Sequence, residues 1–236
     1  MSEFEVACRN PFDSRPSRVR IWLDGEKNPW CNVDFVKSAV CRAFTAVGRA
    51  WWDARSVYCA QRVCIVPWLH SRVVEVSPGL WGIEIPQGYE LVYIADGVAQ
   101  LAPKGYPPNV DYDLSEVERA RVAENMRMTF GRDGDLSPED IDKIYRAFEA
   151  VYVNGFVNAQ THFRCSTRSC GTFTMGWWGA GKLRLCPRFF EGSEVAAAST
   201  IIEELLHGYA DIPHGGSPPV NEADYYQSYV MAHYLL

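Results

Sequence analysis

The sequence predicts a single α+β domain that is mainly helical, with a small β-hairpin region and an inserted β-meander. Three observations support this fold class. Apolar residues recur at helical spacing in several long stretches, short β-type runs crowd into residues 62–106, and residues 163–186 have a hairpin-like pattern. At 236 residues and 47% hydrophobic content, the chain has enough apolar side chains to bury one large core.

Helices are predicted where apolar residues repeat every three or four positions. The clearest start follows Ser137, which suits the N-cap, with Pro138 at the first helical position and Asp140 in the first turn. We expect this helix to end at Asn154-Gly155 and the fourth helix to be stopped by Gly208. The predicted helices span residues 32–60, 114–128, 138–153, 193–207 and 221–236.

The β-type runs between residues 62 and 106 are RVCIV, RVVEV, LWGIEI and ELVYIA, separated by the turn sequences SPG, PQG and ADG. This spacing is typical of a meander or a pair of hairpins, and the tract APKGYPPNVDYD after it is predicted to be a loop. We interpret residues 62–110, approximately, as a β-rich insertion in a domain of residues 30–236. Residues 1–29 are predicted to be an irregular N-terminal extension.

Charge is distributed unevenly along the chain. The net charge of −6 argues against a general nucleic-acid binder, and the apolar runs are too short to cross a bilayer. The last 46 residues, 191–236, contain seven Asp and Glu but no Lys or Arg. Because an unpaired buried carboxylate is costly, this apolar segment needs a cation from elsewhere in the fold or from a metal ion.

Eight cysteines are more than most cytosolic chains of this length carry, and no CxxC pair is present. Disulfides formed in an oxidising destination and free buried thiols are both compatible with this count. The N-terminus does not have the basic-then-apolar order of a secretory signal. We therefore expect either export by a route without a cleavable signal peptide or a cytoplasmic location.

The sequence Glu203-Glu204-Leu205-Leu206-His207 carries the clearest chemical signal. Positions 203 and 207 lie one helical turn apart and share a face, which suits two ligands of one metal ion. Glu204 lies beside them, where a carboxylate can act as a base. A solvated helix face is the alternative. The lack of Lys or Arg on this apolar helix favours the metal site.

Three ordered segments resemble the aspzincin metalloendopeptidases, the deuterolysin and peptidyl-Lys metalloendopeptidase group. They are Leu183–Phe190, Ser199–His207 and Asn221–Tyr226, similar to the family's L-C-P-x-F strand, T-x-x-H-E-x-x-H helix and closing N-A-D-S-Y helix. The resemblance covers about residues 30–236 apart from the insertion. It implies a zincin-like metallopeptidase fold with a bound zinc ion.

Carried over residue by residue, the resemblance implies that His207 and Asp211 are zinc ligands and that Glu204 is the catalytic base. Glu203 stands where the family has the first histidine of H-E-x-x-H. Glu203 is therefore implied to be a carboxylate ligand in place of that histidine. His214 stands where the family has a tyrosine that helps to stabilise the oxyanion. Asp224 and Tyr226 are implied to support the helix pair from outside the ligand set.

The resemblance also implies that Cys186 lies within disulfide range of Cys170 or Cys165, with α-carbons about 5.5 Å apart.

The expected function is a zinc-dependent metalloendopeptidase that hydrolyses peptide bonds with metal-activated water. Its substrate is expected to be a protein or the peptide stem of a cell-wall polymer. A bacterial secreted toxin or effector, with an immunity or inhibitor protein as partner, is an associated hypothesis. The alternative function is a catalytically inactive binding protein with the aspzincin fold.

Overall fold

The structure is a computed structural model that describes residues 1–12, 14–60, 62, 64, 69–107, 114–131, 135–158 and 161–235. Helices and strands are both abundant, so the fold is α+β. The chain divides into two compact units. The first contains Met1–Gln61 and Leu114–Leu236, and the second contains Arg62–Asp113.

Five α-helices and ten strands are formed by the described residues. The helices are α1 (Val33–Ala60), α2 (Glu116–Phe130), α3 (Pro138–Ala150), α4 (Glu194–Tyr209) and α5 (Ala223–Val230). The strands are β1 (Ser2–Arg9), β2 (Pro16–Asp24), β3 (Leu69–Arg72), β4 (Val74–Ser77), β5 (Leu80–Gly82), β6 (Tyr89–Ala95), β7 (Val98–Pro103), β8 (His162–Cys165), β9 (Gly176–Gly179) and β10 (Lys182–Leu185).

The prediction of an irregular N-terminal extension is wrong. β1 and β2 form an antiparallel hairpin, and β2 continues into a five-stranded sheet of order β1-β2-β8-β10-β9. The signal is a period of two: Val19, Ile21 and Leu23 are buried while the residues between them are more exposed. The first 24 residues therefore supply two of the five strands in the main sheet.

Residues 163–186 do not form one simple hairpin. β9 and β10 are an antiparallel hairpin, but β8 pairs in parallel with both β10 and β2. A parallel pair requires a crossover, which here passes through the loop 166–175 and β9. Because β8 and β10 are parallel, their carboxyl ends lie at the same end of the sheet.

All five predicted helices are present, and two of their ends differ from the prediction. α3 does not stop at Asn154-Gly155 but continues as a π-helix, Val151–Val157. α5 continues as a π-helix, Met231–Leu235, so the fifth helix extends nearly as far as predicted. α4 runs through Gly208, because this glycine serves close packing rather than a turn: a methyl group there would overlap the Trp178 indole.

The core of the first unit is centred on α1, which contacts α2, α3 and α4. Trp51 stacks on Tyr152 with ring centroids 4.9 Å apart, and Phe44 stacks on the same tyrosine at 5.4 Å. α4 packs on α1 and α5 and also contacts β9 and β10. The fourth and fifth predicted helices therefore pack against each other.

All eight cysteines are disulfide-bonded. The described pairs are Cys8–Cys41, Cys31–Cys165 and Cys170–Cys186, and Cys59 and Cys64 are disulfide-bonded as well. The expected approach of Cys186 to Cys170 is confirmed, with α-carbons 5.7 Å apart. This pattern is compatible with an extracellular protein.

The second unit contains a three-stranded sheet, β3-β7-β6, and the separate hairpin β4-β5. Two predicted segments fall partly outside the described residues. They are the β-type run at 62–66, of which most is outside, and the end of the predicted loop, at 108–113. Ala99, Leu101 and Ala102 on β7 are buried, whereas Val76, Leu80 and Trp81 are each at least 60% exposed. None of the described helices in either unit is long and apolar enough to cross a membrane.

A buried carboxyl group joins α1 to the end of the chain. The hydroxyl of Tyr234 donates a 2.8 Å hydrogen bond to Asp53 Oδ2. Burial raises the pKa of Asp53 from its ordinary value of 3.8 to about 6, and the hydrogen bond from Tyr234 opposes part of this rise. Between those two pH values the unfolded chain releases a proton that the folded chain retains, so stability falls as pH rises.

We expect Asp53→Asn to remove this pH dependence while retaining an oxygen acceptor for Tyr234. Below pH 4 the carboxyl is protonated in both states, so the variant and the parent should differ little. Above pH 6 the variant should be more stable by up to about 3 kcal/mol, since one pKa unit corresponds to about 1.4 kcal/mol. Denaturant unfolding without reductant at pH 4, 6 and 8 measures the difference, and a difference that is equal at all three pH values contradicts this account.

Candidate metal centre and neighbouring carboxylate

α4 presents the three side chains that the sequence selected. Its N-cap is Ser193, whose hydroxyl accepts a hydrogen bond from the backbone N–H of Ala196. Glu203 and His207 are half-buried on one face, and Glu204 lies on the adjoining face with only 7% of its surface exposed. The helix therefore holds a deeply buried carboxylate next to two side chains that solvent reaches.

His214 completes a group of three possible metal ligands. The ligand atoms of Glu203, His207 and His214 all lie within 4.8 Å of one another. The Nε2 atoms of the two histidines are 3.0 Å apart, and His214 Nε2 is 3.8 Å from Glu203 Oε1. Two imidazoles and a carboxylate could hold a metal ion at this position.

The backbone of Ile212 sets the tautomer of His207. Its carbonyl oxygen is 2.5 Å from His207 Nδ1, and a carbonyl can only accept, so Nδ1 carries the hydrogen and donates it. Burial lowers the pKa of His207, which favours the neutral ring. The Nε2 lone pair of His207 is thereby directed at the site, as a metal ligand requires.

Side chains of α5 hold two members of this group in place. Gln227 Nε2 donates a 2.6 Å hydrogen bond to Glu203 Oε2, and Asp224 Oδ1 is 3.4 Å from His214 Nδ1. Burial, together with the neighbouring Asp224 carboxylate, raises the pKa of Glu203. Sequence reasoning did not select Gln227. The signal available for it was helical spacing, because it lies three positions after Asp224 on the same helix.

Asp211 lies outside the group of ligand atoms in the described structure. Its side chain is exposed, and its backbone has a φ of 53°, in the left-handed region that ends many helices. The following residue, Ile212, is buried and donates its N–H to Leu206 O. Asp211 thus forms the turn that carries the chain from α4 back to His214, and the structure brings His214 rather than Asp211 close to Glu203 and His207.

Glu204 contacts the edge of the sheet. Its Oε2 accepts a 2.5 Å hydrogen bond from the backbone N–H of Trp178, which belongs to the edge strand β9. Burial raises the pKa of Glu204 to about 7, and this hydrogen bond moderates the rise. A carboxyl group with a pKa near neutrality is suited to accepting and releasing protons.

Tyr226, the other residue expected to support the site, is fully buried. Its hydroxyl donates to Val220 O at 2.9 Å, and its ring packs on Phe130 and Phe148. It therefore stabilises the segment between His214 and α5 without contacting the ligand group.

Comparison with known proteins adds no assignment: the chain matches no family model and no curated protein sequence. The functional argument consequently depends on the geometry described above.

His214→Ala is expected to lower the affinity for a divalent ion, with Zn²⁺ as the probe, by more than about 100-fold. The reason is that loss of a hydrogen-bond partner outside the ligand set already costs about 10–100-fold. Asp211→Asn is the matched variant and should change the affinity by less than about threefold, because its exposed charge is screened. Competition with a chelator of known affinity measures both. If Asp211→Asn loses the metal and His214→Ala keeps it, Asp211 is the ligand.

Gly208→Ala tests the packing that positions Glu204. Alanine is the better helix former by about 1 kcal/mol, yet its methyl group would displace the Trp178 ring, which also packs on Tyr209 with centroids 5.2 Å apart. We expect the free energy of unfolding to fall by about 1–3 kcal/mol in a chemical denaturation experiment. A variant more stable than the parent would show that the indole moves without cost.

Proposed function

We propose that this chain is a zinc-dependent endopeptidase of the zincin type, in which Glu203, His207 and His214 hold the ion and Glu204 is the general base. The observation that carries the proposal is the buried Glu204 carboxylate beside a Glu/His/His group, two members of which lie on the same helix and the third in the loop after it. The three segments similar to aspzincins agree with it, although the chain departs from that family at Glu203 and His214.

The donor set suits zinc. Catalytic zinc sites commonly have three protein ligands, and two histidines with one glutamate is a common combination. Two nitrogen ligands at about 2.0–2.1 Å from a tetrahedral zinc ion lie about 3.3 Å apart. The Nε2 atoms of His207 and His214 are 3.0 Å apart, close to that separation. When bound, zinc would polarise the peptide carbonyl and make a water molecule more acidic.

The aspzincin pattern also has two histidines and one carboxylate as ligands, but the carboxylate and one histidine are at exchanged positions. The family pattern has histidine at the position of Glu203 and a carboxylate in the following loop. Here the carboxylate is on the helix and the second imidazole, His214, is in the loop. The donor set, two imidazoles and one carboxylate, therefore has the same charge in both arrangements.

Glu204 is placed to transfer protons. Its Oε2 is occupied by the Trp178 N–H, which leaves Oε1 to take a proton from the attacking water and deliver it to the leaving amine. The backbone hydrogen bond fixes the orientation of the carboxylate, and burial keeps its pKa high enough for it to hold the proton between the two steps. His214 is 61% exposed at its side chain, so the site is open to solvent on that side.

A peptide or protein substrate is part of the same proposal. Action outside the producing cell is also part of it, and the disulfide-bonded cysteines support this location.

The catalytically inactive binding protein is the second candidate. It is favoured by the second unit, where Val76, Leu80 and Trp81 expose apolar surface. Metal analysis separates the two: about one zinc per chain supports the peptidase, and absence of zinc after purification in its presence supports the binding protein.

Glu204→Gln is expected to retain zinc and the melting temperature of the zinc-bound protein while peptide hydrolysis falls at least about 100-fold, because it removes the base but no ligand. Casein and a quenched-peptide library are suitable substrates, with zinc content measured on the same samples. The matched control is Glu222→Gln, a nearby carboxylate that accepts from Gly215 N and lies outside the ligand group. Equal hydrolysis by Glu204→Gln and the parent would contradict the assigned base.

A further inference from the structure

Residues 161–190 contain five Lys and Arg and no Asp or Glu. The net charge of the chain is −6, and residues 191–236, which follow this basic segment, contain no Lys or Arg. Positive and negative charges are therefore separated along this part of the chain. The segment comprises β8, β9, β10 and the loop 166–175. Its cations are Arg164, Arg168, Lys182, Arg184 and Arg188.

These cations lie on β8 and β10 and in the segments that follow the carboxyl ends of these two strands. Arg164 on β8 lies opposite Arg184 on the parallel strand β10, so both side chains are on the same face, away from buried Phe163 and Leu183. Like charges at directly opposed positions destabilise a sheet. Asp24, opposite Arg164 on β2, already pairs with Lys182 at 3.0 Å and with the terminal amine at 3.3 Å.

Positive charge therefore remains uncompensated in this segment. Within the described parts of the chain, the ion pairs on this face of β1, β2 and β10 involve Arg18, Arg20 and Lys182. None of Arg164, Arg168, Arg184 and Arg188, which we call the arginine rim, lies within 4.0 Å of a carboxylate oxygen there.

An exposed aromatic ring stands beside the arginine rim. Phe173 in the loop 166–175 is 81% exposed, and the Arg188 guanidinium is 5.4 Å from its ring centroid. Arg188 also donates to Thr172 O at 3.5 Å. The disulfide Cys170–Cys186 ties the loop to the end of β10. The phenyl ring is thus exposed to solvent on a cross-linked loop, with the Arg188 guanidinium beside it.

We propose that the arginine rim and Phe173 dock this protein onto an anionic phospholipid bilayer. Guanidinium groups bind phosphate through paired hydrogen bonds, and a basic surface is attracted to anionic headgroups. An aromatic ring next to such a surface enters the boundary between headgroups and acyl chains. The contact is peripheral and does not depend on the metal centre, which α4 carries on the other face of the sheet.

The remaining aromatic residues of this face favour a bilayer over a single-stranded nucleic acid. Base recognition on a sheet needs aromatic faces that are free to stack. Trp177 is covered by the Arg184 guanidinium at 4.4 Å, and Trp22 stacks on His162 with centroids 5.9 Å apart. Phe173, with 81% of its surface exposed, offers an open ring, and a single ring suits insertion at an interface better than stacking of successive bases.

Sedimentation with vesicles tests the proposal on the full disulfide-bonded chain. We expect binding to phosphatidylcholine vesicles that contain 30% phosphatidylglycerol and little binding to phosphatidylcholine alone. Arg168→Gln with Arg188→Gln should lower the partition coefficient about 30-fold, since each basic side chain near an anionic surface contributes about fivefold. Phe173→Ser should lower it about tenfold.

The controls are matched in charge and exposure. Arg119→Gln with Arg121→Gln on α2 makes the same change in net charge, and Val117→Ser removes an apolar side chain that is 80% exposed. Both should bind vesicles like the parent. The proposal is overturned if the parent ignores both vesicle types, if the control variants lose as much binding as the rim variants, or if a soluble oligonucleotide binds at the same salt concentration while anionic vesicles do not.

Discussion

Glu204 is a carboxylate on a helix that has no Lys or Arg and is packed on several sides by apolar neighbours. α4 contacts α1, α5 and the β9-β10 hairpin, so its faces are largely occupied by packing. A buried carboxylate must have a hydrogen-bond donor, a cation or a proton. The backbone N–H of Trp178 supplies the donor, and the pKa near 7 shows that it compensates burial only in part. The contact of α4 with β9 therefore supplies the donor for Glu204, and Gly208 on the same helix allows the close approach of the Trp178 indole.

The two glycines that break the expected helix ends illustrate how packing overrides local preference. Glycine is a poor helix former, and it is usually expected at a helix end rather than inside a helix. Gly208 instead stays inside α4 because the Trp178 indole rests on its α-carbon. Gly155 stays inside the π-helical extension of α3, where a methyl group would be 3.3 Å from Leu205 of α4. At both positions the helix geometry is maintained by the tertiary contact.

Charge is divided between the two sides of the main sheet. The arginine rim belongs to residues 161–190, which contain no Asp or Glu, whereas α4 and α5 on the other side of the sheet belong to a segment without Lys or Arg. The two blocks are joined at Phe190 and Glu191, with no linker between them. Separation of this kind leaves each side with an unbalanced charge that a partner of opposite sign can neutralise: a divalent cation at the carboxylates, and an anionic surface at the arginines.

Local patterns were sufficient for the helices and for the choice of Glu203, Glu204 and His207, because capping residues, apolar periodicity and the i, i+4 spacing are properties of neighbouring residues. The family resemblance implied that Cys186 lies near Cys170 or Cys165, and the tertiary structure decided for Cys170. The N-terminal strands also had a local signal, the alternation of Val19, Ile21 and Leu23, which was not recognised. Only the tertiary structure could decide that β8 runs parallel to β10, that Trp178 donates to Glu204 and that Gln227 holds Glu203, since these contacts join residues far apart in sequence. The exchange of Asp211 for His214 in the ligand group has the same origin: the left-handed turn at Asp211 directs its side chain to solvent and returns the chain over α4 at His214.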